Sequence, residues 1–217
     1  MTSPRTCDAS GMAEIHRMFR AGFREGPALV AGVAEGDAAH ADVVGGHLSL
    51  LSGALHAHHE FEDENVWDRL SSRAPACALH VGRMKDQHAQ MLVHLTALDE
   101  ALPAWRAGGR GADAAPVVAA LGSIDAALAE HLPDEEENIV PVMEQVLTQP
   151  EVDAGATHGR RATPRGRTFE MIGAIMDAQP DGGVEWQRKN LPAPLRLVWR
   201  AVGRSRYAAV RARLAPR

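Results

Sequence analysis

One word of eight residues occurs twice in this chain, and it narrows the fold more than any other feature. His58-His59-Glu60-Phe61-Glu62-Asp63-Glu64-Asn65 runs on into Val66-Trp67, and His131-Leu132-Pro133-Asp134-Glu135-Glu136-Glu137-Asn138 runs on into Ile139-Val140. Aligned, both read His-x-x-x-Glu-acid-Glu-Asn followed by two bulky apolar residues. Residues four apart are neighbours on a helix, about 5–6 Å apart at Cβ. On helices, therefore, His58/Glu62 and His131/Glu135 each set an imidazole and a carboxylate on one inward face.

The flanking sequence reads as helix in four blocks, with apolar residues at three- and four-residue spacing and ends at Gly, Pro or polar clusters. The first runs from Ser10 to Ala34 through Met12, Ile15, Phe19 and Phe23, and Gly26-Pro27 predicts a kink inside it. The second follows Gly36-Asp37 and reaches Leu70 through Val44, Leu48, Leu51 and Leu55. The third follows Pro75 and reaches Trp105 through Met84, Met91, Leu95 and Leu98. After Gly108-Gly109-Arg110-Gly111 the fourth runs from Asp113 to Leu147. Aromatic residues make up only 4% of the chain, and β-branched residues are outnumbered by Ala and Leu, which disfavours sheet. Four long amphipathic helices with short loops predict an all-α, up-down-up-down four-helix bundle over residues 1–148.

Residues 1–159 hold 10 Lys and Arg against 24 Asp and Glu, whereas residues 160–217 hold 13 against 4. Residues 149–217 therefore read as a distinct basic extension. Its composition predicts a linker over 148–167, a short helix near Thr168–Ala178, a turn at Pro180-Asp181-Gly182-Gly183 and a basic amphipathic stretch from Leu195 to Leu214. Opposite charge on one chain favours packing of this extension on its own bundle over nucleic acid, a membrane or a partner protein. No apolar run approaches the roughly 20 residues of a membrane span, and the N-terminus lacks the apolar core of a signal peptide, so a cytoplasmic protein is expected. Two cysteines, Cys7 and Cys77, cannot build a disulfide framework or a cysteine-based metal site. Any metal must take His and carboxylate.

Ten of the eleven histidines lie between residues 16 and 131, inside the acidic part. His16 precedes His58 by 42 residues, and His88 precedes His131 by 43. A bundle of two similar helix pairs brings His16, His58, Glu62, His88, His131 and Glu135 to one level about a pseudo-twofold axis. Six such ligands form a dinuclear set. The Glu-x-x-His element of ferritin-like di-iron bundles is absent from the sequence.

The order His, His-x-x-x-Glu, His, His-x-x-x-Glu resembles the hemerythrin-like (HHE cation-binding) family over about residues 10–148. The wording from Leu55 to Asp63 and the ending from Leu191 to Tyr207 are similar to hemerythrin-domain proteins of high-GC actinobacteria. The resemblance implies two non-haem iron ions bridged by Glu62 and Glu135, one held by His16 and His58 and the other by His88 and His131. Mixed His and carboxylate donors also accept Mn or Zn. Oxygen-carrying members supply two histidines four residues apart from the third helix and a longer His-x-x-x-x-Asp from the last. Here Met84 stands where the first of that histidine pair would be, and the last motif is His-x-x-x-Glu.

Those departures imply a second open position and a site that reacts with or senses O2, NO or hydrogen peroxide instead of storing oxygen. A catalase-like, peroxidase-like or small-molecule oxidase activity fits that reading. The alternative is an iron sensor or store whose folding follows loading, and a helical interaction protein with incidental histidines ranks last. His59 replaces His58 if the helix phase differs. His47, 11 residues before His58, is either a channel group or structural, and structural is favoured. His40, His56, His80, His94 and His158 fall off the inward face. Asp63, Glu64, Asp134, Glu136 and Glu137 read as a solvated acidic face, an orienting bond to a ligand histidine being the other reading.

Overall fold

A computed structural model describes residues 5–216. Every regular element among them is helical. Helices α1 (Gly11–Ala31), α2 (Ala38–Asn65), α4 (Ala78–Gly108) and α5 (Gly111–Asn138) are the four rods. In the closed ring α2 packs between α1 and α4, and α5 closes the ring against both, the arrangement that short up-down-up-down connections dictate. The expected bundle is therefore present.

Local signals set the ends of the rods. The Asp37 carboxylate accepts the backbone N–H of His40 at 2.9 Å and opens α2. Gly109 closes α4 with φ 61° and donates its N–H to the Trp105 carbonyl at 2.7 Å. A Cβ there would lie 2.9 Å from the backbone of Asp37, so the turns at that end meet only because residue 109 is glycine. Helix α1 carries Pro27 within it and continues to Ala31.

The repeated word is repeated in backbone geometry. Both copies end their rod at the asparagine, pass through Val66 (φ -105°, ψ -54°) or Ile139 (φ -105°, ψ -50°), and restart as the short helices α3 (Trp67–Arg73) and α6 (Val140–Val146). A 3-10 turn, Pro75–Cys77, then leads from α3 into α4. Together these pieces close one end of the bundle with a second apolar cluster that contains Trp67, Leu70, Met84, Ile139, Met143 and the free thiols of Cys7 and Cys77. The main cluster, with Phe19, Leu55, Met91 and Leu128, fills the rest of the bundle. A polar layer lies between the two.

The stretch expected to be a linker is instead helix α7 (Gln149–Ala162). Glu151 starts it by accepting the Thr148 N–H at 2.9 Å and is gripped by both terminal nitrogens of Arg73 at 2.7 Å, which latches α7 to α3. Gly155 lets α7 press on the Phe61 ring, where a Cβ would come within 2.9 Å. Composition misled here because residues with poor helix propensity are held by these tertiary contacts.

The rest of the extension is α8 (Thr168–Asp177), α9 (Val184–Asn190), α10 (Ala193–Val198), a π-helical turn at Trp199–Gly203, and α11 (Arg204–Leu214). Met171 of α8 and Leu214 of α11 are buried in the main core. Arg211 makes a two-pronged ion pair with Glu25, and Arg17 donates to Gln179 at 2.6 Å. His47 of α2 is buried against Glu170 of α8 at 2.8 Å, the structural role favoured for it. Contrary to the expected absence of any apolar run, Gly111–Val146 has the length and composition to cross a membrane, with a mean hydropathy of 1.4 over 18 residues. Within that stretch Leu121, Ile124 and Leu128 are fully buried inside the bundle.

Candidate metal centre

The polar layer contains all six residues singled out from the sequence, and one more. His16, Glu62, His88, His131 and Glu135 are buried, and His58 has 11% of its side chain exposed. His16 Nε2 lies 3.1 Å from His58 Nε2, and His88 Nε2 lies 3.3 Å from His131 Nε2. Glu62 sits between the pairs, with Oε1 3.4 Å from His58 Nε2 and Oε2 3.6 Å from His88 Nε2. Glu135 does the same with one oxygen, 3.4 Å from His16 Nε2 and 3.6 Å from His131 Nε2. The expected pairing of His16 with His58 and of His88 with His131 is what the structure brings together.

The additional residue is His59. It is buried, and its ring stacks on that of His88 with centroids 4.0 Å apart. Two compact groups of donor atoms result, His59/His88/His131 and His16/His58/Glu135. Adjacent residues both face the centre because they are about 100° apart on a helix that lies between two neighbours. His58 turns towards α1 and His59 towards α4. Glu62, four residues after one and three after the other, falls between them. The sequence reading allowed only one of the pair, so His59 joins His58 and does not replace it. The aligned position in α5 is Leu132, which is buried in the main core, so the layer holds five imidazoles and its twofold symmetry is broken. Met84, at the place of the missing third-helix histidine, packs in the closing cluster.

Around this layer three of the outward-facing ring nitrogens are engaged. His16 Nδ1 meets Glu136 at 2.8 Å, His88 Nδ1 meets Asp63 at 2.7 Å, and His131 Nδ1 meets the Gln87 amide oxygen at 3.0 Å. Oxygen partners fix the Nδ1–H tautomer, which leaves an Nε2 lone pair aimed at the centre in each ring. Arg20 also binds Glu136 at 3.0 Å, and Trp67 donates Nε1–H to Asp63 at 2.6 Å. Burial works against both carboxylates, yet the histidine bonds first, then Arg20 or Trp67, hold Glu136 and Asp63 below the usual carboxylate range. These two were read from the sequence as solvated; instead they face water on one side and orient a histidine on the other. The i+1 relation of each to Glu135 or Glu62 was the signal that marked them. Asp134 instead pairs with Arg83, and Glu64 and Glu137 are exposed.

The electrostatics of the layer fit a cation. Both oxygens of Glu62, both oxygens of Glu135 and Nε2 of His59 are buried without a hydrogen-bond partner, a costly arrangement for any polar group. Burial first, then the charge of Glu135, pushes the Glu62 carboxyl well above its ordinary value. Burial and the neighbouring rings push His58 and His59 well below theirs, and His131 down to about 3, so these three imidazoles are neutral donors. Ring nitrogens converging at 3.1–3.3 Å, with carboxylate oxygens beside them, form a donor set that a metal ion satisfies.

The family model described as the Hemerythrin HHE cation binding domain matches residues 8–149. No curated protein and no solved structure gives a significant match.

Proposed function

The chain belongs to the hemerythrin HHE cation-binding family through residues 8–149, and from that premise we propose that it is a non-haem di-iron protein whose centre binds and reacts with O2, NO or hydrogen peroxide. His59, His88 and His131 would hold one ion and His16 and His58 the other, with the Glu62 and Glu135 carboxylates lying between the two groups. The observation that carries this reading is the set of four buried carboxylate oxygens left without donors among five imidazoles.

When bound, the metal pair supplies electrons and free coordination positions to a small oxidant. This chain's residues determine where and to what. Glu136, Asp63 and Gln87 hold the Nδ1–H groups of His16, His88 and His131 and so keep each Nε2 lone pair directed inward. Phe19, 5.4 Å from the His58 ring, and Trp67, 5.4 Å from the His88 ring, wall the layer with apolar surface and exclude bulky ligands and water. The His16/His58 side has two imidazoles where the other has three. His59 would take the place that Met84 leaves open, and a small ligand would enter beside His58, the least buried member of the set.

Protein made in iron-replete cells should contain about two iron ions per chain and should consume hydrogen peroxide or change its absorption spectrum with O2 or NO. Full loading with inertness to all three overturns the reactive reading. The iron-sensor reading then stands, because the same unpartnered carboxylates tie stability to loading.

A further inference from the structure

A group of four arginines lies away from the metal layer, at the seam between the bundle and the C-terminal helices. A cleft of about 440 Å³ opens there between α2 and α4 on one side and α8 and α11 on the other. Its volume falls in the range of roughly 300–1,000 Å³ typical of small-molecule sites. Four guanidinium groups line it. Two are committed: Arg106 binds Asp42 at 2.7 Å, and Arg167 holds the buried Glu170. Arg206 and Arg213, seven residues apart on α11, have no acidic partner among the described residues.

With only Asp42 and Glu170 to offset four arginines, the lining carries excess positive charge on a chain whose formal net charge is -5. Like charges gathered at one cleft repel, and an anion relieves that repulsion. Geometry adds to charge. The Arg206 guanidinium lies over the Phe169 ring, 5.4 Å from its centroid, a stacking that fixes the plane of the group while its N–H edges stay free for a ligand. Val43, Val210 and the buried Leu214 give the cleft an apolar floor. His47 lines it too, with Nδ1 engaged by Glu170. The site is thus apolar below and cationic at its rim.

We propose that this cleft binds a small organic anion, a carboxylate or phosphate on a compact apolar body, held by Arg206 and Arg213 above the Val43/Leu214 floor. Because its walls come from both the bundle and the extension, an occupied cleft clamps the two together. It lies about eleven residues, roughly 16 Å, along α2 from the His58 level, so it does not share the metal ligands. Ligand arginines contribute through charge-assisted, two-pronged bonds that lysine or a neutral group does not reproduce.

The test is calorimetric titration of the full-length, metal-loaded protein with phenyl phosphate and with benzoate, and with benzyl alcohol as the uncharged comparison. At least one of the two anions should bind one to one and raise Tm, and benzyl alcohol should bind at least about tenfold more weakly. The double variant Arg206→Ala/Arg213→Ala changes only exposed side chains. It should keep its metal content while losing about tenfold or more in affinity for the anion. Failure of both anions to bind, benzyl alcohol binding as tightly, or full affinity retained in the variant each overturns the proposal. The last outcome would place the anion elsewhere, the metal layer included.

Discussion

Helix α2 carries two buried histidine–carboxylate clusters, and they behave in opposite ways. At the seam, His47 bonds one oxygen of Glu170 at 2.8 Å and Arg167 bonds both, so each carboxylate oxygen has a donor from the protein. In the metal layer neither oxygen of Glu62 or Glu135 has one. The two environments push the same residue type apart. Burial opposes the Glu170 charge, but His47 and Arg167 bring its carboxyl down to about 2, whereas burial and Glu135 push Glu62 well above its ordinary value. A buried histidine beside a glutamate is therefore not in itself a mark of function. Here the mark is a pair of carboxylates with unmet valence facing several imidazoles, because a closed network is complete as it folds and such an open one awaits a ligand.

Removing metal separates the two clusters most sharply. Chelation should leave the seam intact and return an uncompensated carboxylate pair to the core. With free metal at about 1,000 times Kd, loading contributes about 4 kcal/mol, so Tm should fall by about 8–16 °C on stripping. Scanning calorimetry of loaded and stripped protein measures it, and an unchanged Tm would mean that the layer is satisfied without a cation. Next in size is His59→Ala, which removes one of three imidazoles from one ion. Affinity for a single equivalent of metal should drop about 100-fold, with the other retained, as read by competition with a chromogenic chelator. Loss of both equivalents together would contradict the three-and-two division.

At the seam, Glu170→Gln should cost about 2 kcal/mol, the order of a charge-assisted hydrogen bond, without altering metal content. Its pH dependence follows from the lowered carboxyl. A group held down to about 2 from an ordinary 4.5 contributes fully above pH 4.5 and loses that contribution as pH falls towards 2. The difference in unfolding free energy between wild type and variant, both metal-free, should be flat above pH 5 and shrink below 4.5. A difference that grows on acidification would reverse the assignment.

The parts of this molecule that were legible in sequence are those governed by local spacing. Helical periodicity gave the four rods, and the repeated word located His58, Glu62, His131 and Glu135, because i and i+4 positions translate directly into a shared face. The similar offsets of 42 and 43 residues brought His16 and His88 to the same level, and the family resemblance implied their pairing with His58 and His131. His59 was not legible in the same way. Whether one helix face or its neighbour looks inward depends on which rods flank it, and only the assembled ring shows that α2 must serve α1 and α4 at once. Helix α7 was hidden for a related reason, since Arg73, Thr148 and Phe61 hold a segment whose own composition favours coil. Glu136 and Asp63 were read as solvated because they belong to acidic runs, and spacing does not show that one side of each meets a histidine of a neighbouring rod.

Those two carboxylates provide the finest comparison. Asp63 accepts from His88 and Trp67, and Glu136 accepts from His16 and Arg20, so each orients a histidine of a different donor group. Asp63→Asn keeps the shape and one acceptor oxygen but removes the charge that strengthens the His88 donor, and at 47% exposure the change leaves the fold intact. Affinity should fall about tenfold for the ion of the three-histidine side alone. Glu136→Gln should weaken the two-histidine side by a similar factor, and because that ion has fewer imidazoles to spare, its loss should occur at a lower chelator concentration. Competition titrations of both variants against wild type read the two ions separately. Equal weakening of both ions in either variant would mean that the outer carboxylates act through overall charge, and no weakening in either would return them to the solvated face that the sequence first suggested.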